Sequence, residues 1–253
     1  MNLFDLALIF TAALLAGALN AIAGGGSFFS FPALLVAGVP PIVANATNAL
    51  ALWPGTLASV GAYRRELSGQ QRDVWLFSGL SLIGGLLGAI LLLFTDERQF
   101  TAMIPYLLLF ATLVFIFSPQ ITRLARRMTG NAGDSQRWPI IALYIAIAIY
   151  GGFFGAGLGI LTLAALALLG HENIHRMNAL KTLQAALVNG IAVATFIATG
   201  LIAWMPALVM TLGAIVGGYG GAAIARRVDA RRVRGLVVAI SIGLTVWFFA
   251  RGG

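Results

Sequence analysis

A chain of 253 residues in which 60% are hydrophobic and only 9% charged is not an ordinary soluble domain, where about a quarter of residues carry charge. Its 16 Lys plus Arg against 8 Asp plus Glu give a net charge of +8, but arginines at the ends of apolar runs are topology signals, so the charge does not point to nucleic acid. There is no cysteine, and the two histidines, His171 and His175, lie outside the apolar runs. Disulfides, thiolate chemistry and cysteine metal sites are excluded, and haem ligation within the membrane is argued against.

The apolar runs over residues 42–63, 74–94, 100–117, 177–200 and 201–225 reach or approach the roughly 20 residues that span a bilayer. This predicts an all-α polytopic membrane protein. The first leg covers residues 3–22. Ala21-Ile22-Ala23 has a small-x-small form, but no Lys or Arg precedes it, so the leg is read as a retained membrane segment rather than a signal peptide. Gly24, Gly25 and Gly26 then interrupt it beside Ser27. Each glycine costs about 1 kcal/mol relative to Ala inside a helix, so the helix is expected to break there.

A second leg, residues 28–37 with Pro32 inside it, would rise about 15 Å, half a hydrocarbon core. The two legs read either as a long helix followed by a half helix or as a hairpin meeting deep in the membrane. After Gly38-Val39-Pro40-Pro41, the next helix opens with Asn45-Ala46-Thr47-Asn48, carries Pro54, where a bend or a freed carbonyl is expected, and ends at Arg64-Arg65. Gly84-Gly85-x-x-Gly88 offers a flat face for close helix packing. Asp96-Glu97-Arg98 makes a turn, Ser118-Pro119 a stop, and residues 120–138 a basic linker between residues 1–119 and 139–253.

The pattern returns after the linker. A second glycine-broken segment, Gly151 and Gly152 through Gly155, Gly157 and Gly159, precedes a short leg over residues 160–169. Asn178-Ala179-Leu180 repeats Asn48-Ala49-Leu50 at an offset of 130, Gly217-Gly218-x-x-Gly221 repeats Gly84-Gly85-x-x-Gly88 at 133, and Asp229 follows Asp96 by 133. The final run, residues 236–250, is short for a span and must be tilted, buried or extended. Basic charge marks the cytoplasmic side of short loops. The arginines near 64–72 and in the linker are therefore expected inside, and the Asp96 turn outside. In the second half the signs reverse, with basic loops at His171–Arg176 and at residues 226–234 and no charge at Leu201-Ile202-Ala203. This is the pattern of two inverted-topology repeats, each a broken unit followed by three helices, as found in secondary transporters.

No catalytic constellation stands out. Ser27, Ser30, Ser59, Ser78 and Ser81 have no buried base to activate them, and the glycine segments lack the strand and the Lys-Ser/Thr of a phosphate loop. What remains is a polar set at and after the breaks: Asn20, Ser27, Asn45, Thr47, Asn48, Asn178, Lys181, Thr182, Gln184 and Asn189. These side chains either glue helices together or line a path. Asn178, Lys181 and Thr182 share a helix face, and Gln184 lies three residues beyond Lys181. Lys181 either snorkels to the cytoplasmic surface or partners an anion. The near absence of acids in the spans argues against a cation path, while freed amides at half-helix N-termini favour negative charge.

The opening Gly17-Ala18-Leu19-Asn20-Ala21-Ile22-Ala23-Gly24-Gly25-Gly26-Ser27 with Pro32, the Asn45-Ala46-Thr47-Asn48 helix start, Arg64-Arg65, and Gly151-Gly152-Phe153-Phe154-Gly155-Ala156-Gly157 with Asn178 and Lys181 resemble the sulfite exporter TauE/SafE family of permeases. The resemblance implies a secondary transporter of small sulfur-containing anions, such as sulfite or organosulfonates, in the bacterial cytoplasmic membrane, with no cofactor and no metal. Carried onto this chain, it implies a substrate site flanked by Asn20, Gly24, Gly25, Gly26, Ser27, Asn45, Thr47, Asn48, Gly155, Gly157, Asn178, Lys181 and Gln184. Its partners would be the anion and the lipid bilayer, with homodimer formation, transport direction and proton coupling left open. An anion channel of the same fold, or a membrane enzyme or assembly factor, are the competing readings.

Overall fold

A computed structural model describes residues 1–22, 25–68, 71–128, 137–171, 173–224 and 230–251. These residues form twelve helices: α1 Leu3–Ile22, α2 Ser27–Val36, α3 Pro41–Ala62, α4 Arg64–Leu67, α5 Gln71–Leu93, α6 Glu97–Ile116, α7 Ser118–Met128, α8 Arg137–Phe153, α9 Leu158–Leu168, α10 Ile174–Ala198, α11 Trp204–Ile224 and α12 Ala230–Arg251. Four of the described helices, α1, α5, α6 and α10, are long and apolar enough to cross a membrane. The protein is an all-α polytopic membrane protein. α3 runs on through Pro54. α6 ends at Ile116, where Ser118-Pro119 is expected as a stop, and the same pair opens α7, since a proline in a first helical turn has no intrahelical N–H to lose. The final short run is lengthened on its N-terminal side, and α12 reaches 22 residues. Residues 129–136 of the linker lie outside those described, as do Gly24, Asp229 and Gly253.

The helices form two compact units. One holds Met1–Gly55, Phe94–Thr112 and Phe196–Gly253, the other Thr56–Leu93 and Leu113–Thr195. In the first unit α1 lies against α11. A methyl group on Gly217 would overlap the Leu14 carbonyl, and one on Gly221 would overlap Ala18. The backbones therefore touch through the glycine face that the sequence marks out. Apolar side chains gain little from leaving lipid for protein, so such contact, with its dense dispersion, is what holds membrane helices together. α2 also packs on α1, with Ile9, Ala13, Ala16, Phe28, Phe31 and Leu34 buried. The Glu97 carboxylate accepts the Ile42 N–H at 3.0 Å, which satisfies an orphan amide at the start of α3. The Thr112 and Thr245 hydroxyls meet at 3.4 Å.

In the second unit α5 lies against α8 in the same manner. A methyl group on Gly88 would overlap the Ile149 carbonyl, and one on Gly84 the Ala148 side chain. α9 packs on α8 and α7 on α9, around a core that includes Phe77, Tyr144, Ala148, Leu166, Met177 and Leu180. The two units thus share one motif. A glycine-lined helix from one half of the chain seats on the first leg of the other half's broken segment.

This seating predicts opposite effects for glycines at and away from the seats. Gly217→Ala and Gly88→Ala each insert a methyl group into backbone and should cost about 1–3 kcal/mol. Gly243→Ala, whose added Cβ meets nothing within 4 Å, should instead gain up to about 1 kcal/mol of helix propensity. Thermal unfolding of the purified protein in detergent reads the difference. Equal stability of Gly88→Ala and Gly243→Ala would refute close backbone seating.

Candidate functional site

At the first break the chain turns back on itself. Gly25 adopts φ +87, a left-handed conformation that glycine alone enters without penalty. The Gly26 N–H donates to the side-chain Oδ1 of Asn20 at 2.8 Å, and a methyl group on Gly26 would overlap the Ala16 carbonyl. α2 therefore folds back along α1, which decides between the two readings in favour of a hairpin. Asn20 is exposed although it closes the break, and Ser27 is half-buried. Ser30, fully buried, donates its hydroxyl proton to the Asn48 side-chain oxygen and so ties α2 to α3. Thr47 accepts the Ala203 N–H at 3.1 Å, and Asn45 is buried with a partner of its own. The side chains of Asn20, Asn45, Thr47 and Asn48 are all engaged in the scaffold.

The second break is built with different groups. Gly155 and Gly157 adopt φ +82 and +79. The Gly155 N–H donates to the Tyr150 carbonyl at 3.1 Å, and the Tyr150 hydroxyl donates to the Ala156 carbonyl at 2.7 Å. α9 starts at Leu158. The aliphatic stem of Lys181 crosses Gly159 in its first turn, where an added Cβ would lie 3.3 Å from the Lys181 Cδ. Lys181 is half-buried, and no acidic side chain pairs with it among the described residues. Asn178, also half-buried, precedes it by three residues.

Gln184, one turn further along α10, is 1% exposed, and neither its amide nitrogen nor its side-chain oxygen has a hydrogen-bond partner among the described residues. An unsatisfied buried polar group costs about 1–3 kcal/mol. Gln184 lines a narrow gap with Tyr144, Thr162, Leu158 and Val188. The Tyr144 hydroxyl lies 2.7 Å from that of Ser81, and its ring packs on Phe77 with centroids 5.0 Å apart. Phe77 in turn sits 6.1 Å from the His171 ring, and His171 Nε2 lies 3.8 Å from an Asp73 oxygen. Tyr144 and Thr162 were not singled out from the sequence. The signal was available for Tyr144, since a buried tyrosine in an apolar run must find a partner for its hydroxyl.

α10 begins 133 residues after α3, Ile174 against Pro41, an offset at which Asn178 falls opposite Asn45 and Lys181 opposite Asn48, whereas the match of Asn178-Ala179-Leu180 to Asn48-Ala49-Leu50 has an offset of 130. Among the described residues no group of three or more His, Asp or Glu could hold a metal ion.

Burial lowers the His171 pKa, with the Asp73 carboxylate pulling the other way. In the folded protein His171 thus binds its proton less readily than in the unfolded chain, whose histidine titrates near pH 6.5. Its contribution to stability is complete above that pH and is lost as the pH falls through the folded value. Thermal stability should therefore drop on acidification below pH 6.5, and the drop should be smaller in His171→Gln. An unchanged pH dependence in that variant would place the titration elsewhere.

The comparisons now bear on these features. A family model described as Sulfite exporter TauE/SafE matches residues 9–248. A "Probable membrane transporter protein" of Haemophilus influenzae is 31% identical over 245 residues, 95% of this chain and 92% of the relative. "Probable membrane transporter protein ORF9" of a Sinorhizobium species is 27% identical over 97% of this chain and 92% of its own length. "Probable membrane transporter protein YfcA" of Escherichia coli is 28% identical over 93% of this chain and 86% of its own length. No solved structure matches the chain. With its broken hairpins and glycine-seated helices, the chain belongs to the sulfite exporter TauE/SafE family, as a multi-pass membrane transporter of the bacterial inner membrane.

Proposed function

We propose that the protein is a secondary transporter exporting small sulfur-containing anions, such as sulfite or organosulfonates, by way of two inverted repeats. The description of its family supports the substrate class. The repeat is supported by the reciprocal seating of α5 on α8 and α11 on α1, and by the meeting of Thr112 and Thr245, which are 133 residues apart. That separation matches the glycine motifs and the starts of α3 and α10, and equivalent residues that touch each other are what a two-fold repeat produces at its axis. In this reading the candidate binding residues are Asn20, Gly25, Gly26, Ser27, Asn45, Thr47 and Asn48 at and after the first break, and Gly155, Gly157, Asn178, Lys181 and Gln184 at and after the second.

The observation that carries the anion assignment is the course of Lys181. A snorkelling lysine on α10 would extend toward the polar loop at His171. The Lys181 stem instead lies over Gly159 in the first turn of α9, and that helix is 11 residues long, about 16 Å. The first turn of α9 therefore lies at the tip of the hairpin, remote from that loop. A cation held beside a helix start, where the helix dipole is positive, attracts an anion, and a single such charge leaves binding weak enough for release.

Proteoliposome transport of sulfite, sulfoacetate, thiosulfate and sulfate, with and without a pH gradient, tests the assignment. Saturable flux with counterflow is expected, whereas unsaturable current would indicate a channel. Lys181→Met keeps the length and removes the charge, so the half-saturating concentration should rise about tenfold or more, the equivalent of about 1.4 kcal/mol. Lys181→Arg should retain part of the affinity. An unchanged half-saturating concentration in the Met variant would remove Lys181 from the site. For topology, the cysteine-free chain allows single cysteines at Asn131 and Gly253, expected to label only from the cytoplasm and only from outside. Labelling of both from one side would refute the inverted repeat.

A further inference from the structure

Gln184 is a buried side chain of the second unit that packing does not explain. Its amide carries two donors and an acceptor, all inside the core, and neither polar atom is paired among the described residues. Its neighbours Leu158 and Val188 are apolar, so a leucine of similar volume would suit the position better on packing grounds, because replacing an unpaired polar group with an apolar one of the same shape is neutral or stabilising. Elsewhere the chain uses buried amides differently. Asn48, equally deep, is satisfied by Ser30. A protein tolerates an orphaned amide where a partner arrives during function.

Hydroxyl groups surround the amide. Thr162 and Tyr144 line the same gap, and Tyr144 is oriented by Ser81. The gap is narrower than a water molecule, so a partner enters only when the surrounding helices part. A line of approach is also visible. Asp73, Phe77 and Ser81 repeat every four residues along one face of α5. Asp73 stands with His171 at the polar end, Ser81 reaches Tyr144, and the buried Phe77 ring fills the interval between His171 and Tyr144.

We propose that Gln184, Thr162 and Tyr144 form an occludable pocket that hydrogen-bonds the oxygens of the transported oxyanion, and that Phe77 closes its route from the Asp73–His171 end. The proposal rests on the transport reading and adds to it the groups that supply neutral hydrogen bonds, one helical turn beyond the Lys181 charge. The amide N–H groups and the two hydroxyls suit an oxyanion head and offer little to a halide or an apolar solute.

Gln184→Leu separates function from structure. Transport of sulfite should fall about tenfold or more, as expected for lost hydrogen bonds to a charged solute, while the melting temperature in detergent stays level or rises by about 2 °C. A scaffold role predicts the reverse pattern, with lowered melting temperature, and would overturn the proposal, as would unchanged transport. Because the chain has no cysteine, Thr162→Cys provides a second readout through its rate of modification by a charged maleimide in liposomes. Sulfoacetate should slow that rate, the protection should vanish when Gln184→Leu is added, and Phe77→Ala should speed the reaction about tenfold. Absent protection in a protein that transports sulfoacetate would overturn the pocket and leave the transport reading standing. Protection without transport would uphold the pocket and overturn the transport reading.

Discussion

Within lipid every backbone N–H and C=O must find its partner inside the protein, and both broken segments are organised by that requirement. Each break frees amides that a continuous helix would have used. At the first, Asn20 takes the Gly26 N–H. At the second, the Tyr150 carbonyl takes the Gly155 N–H and the Tyr150 hydroxyl covers the Ala156 carbonyl. Both sets of partners sit on the leg that precedes the break, so the chain must turn back on that leg to be satisfied. The hairpin geometry of α1 with α2 and of α8 with α9 follows from this local accounting, helped by left-handed glycines at Gly25, Gly155 and Gly157.

The same first legs then serve as platforms. α1 carries α11 and α8 carries α5, and in both cases the approach is close enough that backbone touches backbone. A side chain at Gly88 or Gly217 would hold the helices apart and forfeit the dispersion contacts that replace hydrophobic attraction in a membrane. Each platform belongs to one half of the chain and its rider to the other. Neither half can complete its own packing alone, which makes the two halves interdependent for folding and not merely adjacent.

Polar groups divide along a different line. Around the first break the asparagines and threonines are hydrogen-bonded to the scaffold, where they specify which helices meet. Around the second, the Lys181 stem lies over Gly159, and neither polar atom of Gln184 has a hydrogen-bond partner among the described residues. Stability alone would favour an apolar residue at Gln184, so the polar groups at the first break are spent on the scaffold while that of Gln184 is not.

Much of this protein was legible without coordinates. Run length and composition determined a membrane location and the approximate spans, because the thickness of a bilayer converts directly into a count of residues. The glycine clusters located both breaks, since backbone conformational cost is a property of the residue itself. Which way the chain goes after a break was not legible, because it depends on whether partners such as Asn20 and Tyr150 lie within reach in space. The sequence could name Asn48 and Gln184 as polar residues in apolar helices but could not tell them apart. Ser30, 18 residues before Asn48, satisfies it, whereas the fold sets Gln184 at a gap with Tyr144, Thr162 and apolar side chains and leaves it unpaired among the described residues. Sequence alone determined what each residue could do; only the tertiary structure decided which of those capacities were already used, because a hydrogen bond is a property of two groups and the second is chosen by the fold.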